Sequence, residues 1–180
     1  MRKATLTLAL ALAAALLALA ASAQEAVRLE GGRVSFVPPA GFQPMTREDI
    51  LTKFPRRGAA GAPEMVYSNE RMSVSVAVGF SGQNIPADKL EEVKGLLEAD
   101  FARSVPGIEW RTREIIELGG VKWIHFGMKS PAVDTDIVND LYVTIFDGRL
   151  LIFNFNSTVA LFDAHRESLE KSARSITVKP

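Results

Sequence analysis

The chain has 180 residues, no cysteine, and 21 basic residues against 21 acidic ones. The missing cysteine excludes disulfides, a thiol nucleophile and a lipid-modified cysteine. The balanced charge lacks the basic surplus or stripe that nucleic-acid binding requires.

The first residues predict the compartment. Arg2 and Lys3 precede an Ala/Leu-rich run from Thr5 to Ala21, and Ala21-Ser22-Ala23 places small residues where a signal peptidase reads. The expectation is a secretory signal peptide over residues 1–23, cleaved after Ala23, and export to the periplasm or the extracellular space. An uncleaved anchor is the competing reading, because the run nearly reaches bilayer-spanning length. No second apolar run approaches that length, so no membrane span is expected in the mature chain. Loss of Arg2 and Lys3 leaves 19 basic and 21 acidic residues in a mature chain of 157. That length suits one globular domain over residues 24–180, which buries roughly 68–70% of its extended-chain surface without a covalent staple.

Turn residues divide this domain. Residues 27–30 and 33–37 flank Gly31-Gly32, a two-residue hairpin signal, and Pro38-Pro39 ends the second strand. Thr46 caps a short helix carrying Ile50, Leu51 and Phe54, and Pro55 stops it. Residues 56–63, with Gly58 and Gly61, read as a loop. Residues 64–69 and 72–80 then form two strands, the second alternating Val74, Val76, Val78 and Phe80 with small residues. Leu90, Val93, Leu97 and Phe101 recur at helical spacing over residues 86–104, and Gly95 inside that helix implies close packing. Two further hairpins turn at Gly119-Gly120 and Asp147-Gly148. In the last one Leu141, Val143 and Ile145 oppose Tyr142, Thr144 and Phe146, so both faces are apolar and both need cover. A final helix over residues 161–174 carries Phe162, His165, Leu169 and Ala173 on one stripe. The predicted fold is α+β, a three-layer α/β/α sandwich around a mainly antiparallel central sheet built from hairpins.

Three segments of this pattern resemble the PsbP/Mog-like fold family, which includes PsbP, the Mog-type Ran-binding proteins and DcrB-like envelope proteins. They are the opening Val34-Ser-Phe-Val-Pro-Pro-Ala-Gly-Phe42, the helix that follows a hairpin at residues 86–104, and the closing hairpin with its helix from Asp147 to Ile176. The resemblance implies a domain that docks onto other proteins and does no chemistry. It transfers no functional residue: Ran binding is a nuclear and cytosolic task, which a signal peptide contradicts.

Candidate sites are few. Asp134, Asp136 and Asp140, with Asn139, offer the hard oxygen ligands that calcium prefers, but their spacing is not that of an EF-hand. A solvated loop is the plainer explanation. Phe54 with Arg56 and Arg57 is the candidate interaction patch, since arginine is enriched at interface hot spots. His125 and His165 read as packing residues, and Trp110 and Trp123 as core or cross-strand packing. No Gly-x-Ser-x-Gly elbow supports a hydrolase. The expected function is an exported, monomeric, non-catalytic accessory domain that docks onto an envelope or extracellular protein, with no cofactor. A small-ligand or calcium-type metal-binding periplasmic module is the alternative, and a hydrolase comes third. They separate on geometry: docking predicts an exposed apolar-aromatic patch, ligand binding a cavity with converging polar groups, and catalysis a histidine in a cleft beside a carboxylate.

Overall fold

The computed structural model describes residues 24–54, 61–132 and 135–179, so the leader segment, Arg56, Arg57 and Asp134 lie outside the described residues. In chain order the described elements are β1 (Val27–Leu29), β2 (Val34–Phe36), β3 (Gln43–Pro44), α1 (Arg47–Lys53), β4 (Met65–Ser68), β5 (Val74–Ser81), α2 (Leu90–Ser104), β6 (Glu109–Leu118), β7 (Val121–Pro131), β8 (Asp136–Phe146), β9 (Arg149–Thr158), α3 (Val159–Arg174) and β10 (Thr177–Val178).

Asp147 and Gly148 both take positive φ, 48° and 72°, as the turn of a two-residue hairpin demands. That turn pairs Phe146 with Arg149 and carries the β8–β9 ladder out to Ile137 and Thr158. Each of these strands then gains a second neighbour, and a seven-stranded antiparallel sheet results in the order β3-β4-β5-β9-β8-β7-β6. The strands predicted to be apolar on both faces therefore lie inside the sheet, and the α+β sandwich is present.

The two faces bury different clusters. Val74, Val76, Val78, Trp123, Leu151, Phe153 and Phe155 pack with Leu169, Ala173 and Ile176 of the C-terminal segment. Ile124, Phe126, Met128 and Val143 pack on the opposite face with Val93, Leu97 and Phe101 of α2. On that second face α1 covers Val66 and Ala77 with Ile50. The Thr46 hydroxyl accepts the Asp49 amide at 3.2 Å and caps α1 as expected.

Two expectations change. Gly31-Gly32 does not form a two-residue turn: Leu29 pairs with Val34, so residues 30–33 make a wider loop containing a 3-10 turn. Its strands leave the main sheet and form a small one in the order β1-β2-β10. This sheet is tied to the end of α3, where the Ser172 hydroxyl donates to the Val37 carbonyl at 2.6 Å and the Val37 amide donates to Ser175 Oγ at 2.8 Å. Gly95 is exposed, and a Cβ there would meet nothing within 4 Å, so its position in α2 reflects no close packing.

Phe153 is fully buried at the centre of the larger cluster, whereas Leu96 is 65% exposed. Phe153→Ala should cost about 3–5 kcal/mol and Leu96→Ser should stay within about 0.5 kcal/mol, both read from urea unfolding midpoints.

Candidate functional site: a polar cleft beneath the C-terminal helix

The site begins with one extra residue. Counted from the Gly119-Gly120 turn, Ile116 pairs with Trp123 and Glu114 with His125, until the register slips between Trp110 and Thr112. Such a bulge re-aims side chains. Trp110 turns onto the α2 face, its ring 6.1 Å from Phe101 and 5.5 Å from Phe126. Trp123 stays on the α3 face, where its indole N–H donates to the Leu118 carbonyl at 3.3 Å. The two tryptophans therefore serve as packing on opposite faces and make no cross-strand pair. Arg111, the inserted residue, places its guanidinium 4.6 Å over the Phe162 ring of α3.

Gly127 lies opposite the bulge. Its amide donates to Thr112 Oγ1 at 2.8 Å. A Cβ here would sit 2.5 Å from that oxygen, closer than real Cβ atoms come, and 3.1 Å from Asp140 Oδ1, so any other residue would have to push these side chains aside. The strip Thr112–Gly127–Asp140 thus lacks one side chain on the α3 face. Above it α3 presents Phe162, Arg166, Glu170 and Arg174, each four residues from the next and so in one row along the helix. Between row and strip lies a cleft of about 390 Å³, also lined by Arg111, His125 and Tyr142.

Its chemistry is polar and unequal in charge. The His125 ring stacks on Tyr142 with centroids 4.5 Å apart. His125 Nε2 stands 3.5 Å from Asp140 Oδ1, and Nδ1 stands 3.7 Å from Glu114 Oε1. Neither contact is a hydrogen bond, and among the described residues the buried Nε2 has no hydrogen-bond partner, which is costly inside a fold. Burial, aided by the Asp140 and Glu170 carboxylates, pushes the Tyr142 phenol up to about 12. Arg174 pairs with Glu170 at 3.3 Å. Arg111 and Arg166 pair with no carboxylate among the described residues.

The cleft meets the geometric condition set for catalysis, since His125 stands in it beside Asp140. It offers no nucleophile with it: no Ser, Cys or Lys is among the lining residues, and Thr112 Oγ1 already accepts the Gly127 amide. A nucleophile, base and orienter are not assembled together. His165 is half-buried on α3 with its ring 6.3 Å from Phe42, an edge-on packing contact.

The other sequence candidates lie elsewhere. Asp136 pairs with Lys129 at 3.0 Å, while Asp140 faces His125. Both belong to β8, and four residues of strand separate them by about 13 Å, beyond the reach of one ion. Among the described residues no group of three or more His, Cys, Asp or Glu side chains converges to hold a metal. Phe54 packs against Ile50, Val66 and Ala77 and lines a broader, open groove of about 570 Å³ on the opposite face, whose floor includes Leu141, Ile152 and Asn154. Of the large apolar side chains that are exposed among the described residues, Met72 and Val159 flank the Thr158–Ser73 backbone hydrogen bond at one end of the β5–β9 pair, and Leu96 lies apart on α2.

Comparison with solved structures places this architecture. Cyanobacterial PsbP from Synechocystis sp. PCC 6803 superposes with a TM-score of 0.61 at 16% identity, over 89% of this chain and 96% of that one. The chain has the PsbP fold. LpqN of Mycobacterium tuberculosis, described as involved in cell envelope biogenesis, is similar with a TM-score of 0.52 at 12% identity, over 89% of this chain and 88% of that one. PA94 of Pseudomonas aeruginosa, a protein of unknown function, is similar with a TM-score of 0.54 at 14% identity, over 87% and 97%. No protein-family model and no curated protein matches the sequence. Among the described residues no helix is long and apolar enough to cross a membrane.

Sequence reasoning missed Arg111, Gly127, Tyr142 and Arg166 as site residues. Two signals were present: a glycine interrupting the β7 strand marks a bulge or a close approach, and Arg166, Glu170 and Arg174 continue the four-residue spacing from Phe162. Gly127→Ala should destabilise the fold by about 1–3 kcal/mol by forcing Thr112 and Asp140 apart, read as a lower urea midpoint with an unchanged m-value.

Proposed function

We propose that this protein is an exported, non-catalytic accessory domain that works by binding, and that the cleft between α3 and the sheet is its binding site. One observation carries the reading: a concave, polar site offers two arginines and a buried imidazole nitrogen that, among the described residues, have no carboxylate and no hydrogen-bond partner respectively. Polar groups converging in a cavity are what a ligand site requires, and a histidine left unsatisfied in the free protein can be satisfied by what enters. The PsbP fold and its occurrence in an envelope-biogenesis protein such as LpqN support the placement in the envelope. So does the leader expected over residues 1–23, with cleavage after Ala23. Docking of a partner through Phe54, Arg56 and Arg57 is the second reading, favoured by the groove that Phe54 lines. For a metal at Asp134, Asp136 and Asp140 the described carboxylates offer less, since each already faces a cationic or imidazole neighbour.

Native mass spectrometry of the protein recovered from its own envelope fraction tests this reading. The expected species has the mass of residues 24–180 plus a bound ligand or partner, and Arg166→Glu releases that addition whereas Phe54→Ala retains it. An addition lost only with Phe54→Ala would move the site to the groove. One unaffected by either change would contradict both placements.

A further inference from the structure

The charge pattern of the cleft selects a chemistry for its ligand, and the inference rests on the cleft being the binding site. We infer that the cleft binds an oxyanion, a carboxylate or phosphate group, between the guanidinium groups of Arg111 and Arg166, above His125 and Tyr142.

The donors outnumber the acceptors where the two faces meet. Arg111 comes from the bulge in β6 and Arg166 from α3, and both line the cleft without a carboxylate partner among the described residues. Phe162 lies one helical turn before Arg166, and the Arg111 guanidinium carbon lies over its ring at 4.6 Å. Stacking leaves the edge of a guanidinium free, and that edge presents paired N–H donors matched to the two oxygens of a carboxylate or phosphate. At the base the Tyr142 phenol, which burial pushes up to about 12, offers a further O–H donor.

The carboxylates lining the cleft do not cancel this field. Glu170 is engaged by Arg174 at 3.3 Å. Asp140 turns its Oδ1 to His125 at 3.5 Å, on the strand side of the cleft. A cationic ligand would meet the repulsion of Arg111, Arg166 and Arg174, which line the same cleft as that carboxylate. An anion meets two guanidinium groups that no described carboxylate engages, in a recess where partial exclusion of water strengthens charge-assisted hydrogen bonds. The group could be carried by a small free anion or by an acidic side chain of a partner protein, since the chemistry of recognition is the same.

Backbone amide chemical shifts of the mature 24–180 protein distinguish these sources. Inorganic phosphate and a capped tri-glutamate peptide are titrated separately at fixed ionic strength. The expected result is saturable movement of the Thr112, Gly127 and Tyr142 amides with at least one probe. A tighter response to phosphate assigns a small free anion, and a tighter response to the peptide assigns a partner-borne carboxylate. Arg111→Gln and Arg166→Gln should each weaken the response roughly tenfold or more, the loss of a hydrogen bond to a charged group. Both side chains are exposed, so the fold is expected to survive. Arg166→Lys, which keeps the charge and loses the fork, serves as a second variant and should fall between wild type and Arg166→Gln. Cleft amides that respond to neither probe, or respond equally in the glutamine variants, overturn the inference. If the cleft amides ignore both anions while Arg166→Glu still releases the natively bound species, the cleft is a binding site of other chemistry. If both tests fail, the binding-site reading falls with it.

Discussion

The whole architecture depends on one hairpin that is apolar on both sides. Residues 141–146 and 150–155 alternate apolar side chains to both faces, and the Asp147-Gly148 turn locks their register. A strand pair of this kind costs free energy unless both faces leave water. The chain answers with α1 and α2 on one face, and with α3 and the small three-stranded sheet on the other. Because α3 must follow β9 directly at Thr158, it crosses the sheet beside β8 and β5. The outer strands β6 and β7 therefore lie at the margin of its cover. The cleft occupies that margin.

Its depth comes from a conflict between the hairpin and the pleat. Perfect pairing from Gly119-Gly120 would place Trp110 on the same face as Trp123, crowding the α3 side with two indoles. The bulge at Arg111 sends Trp110 to the α2 cluster and leaves in its place a glycine, a threonine and a stacked arginine. An apolar margin becomes a polar recess. Bulges commonly sit where a strand must re-aim a side chain toward a site, and here the same insertion both packs one core and opens the other face.

This accounts for what could be read from the residues and what could not. Two-residue turns at Gly119-Gly120 and Asp147-Gly148, the helical spacing of Leu90, Val93, Leu97 and Phe101, and the double-sided hydrophobicity of the last hairpin are local patterns, and each appears in the fold as expected. The wider loop at residues 30–33 escaped, because the same Gly-Gly pair fits a two-residue or a four-residue connection until the partner strand is known. The cleft escaped for a different reason. A bulge is a mismatch between two strands, so neither strand alone announces it, and Arg111 has no special neighbour until Phe162 arrives from more than fifty positions away. His125 was legible as a half-buried histidine but not as one whose Nε2 lacks a partner, which is a property of the surrounding strands.

Hydrogen–deuterium exchange of the purified protein, with and without an extract of its own envelope, locates the surface that binds. Slower exchange is expected in the α3 segment around Arg166 and in β6 around Thr112 when the extract is present, with the groove around Phe54 unchanged. Protection confined to the groove, or none in α3 and β6, would contradict a binding role for the cleft.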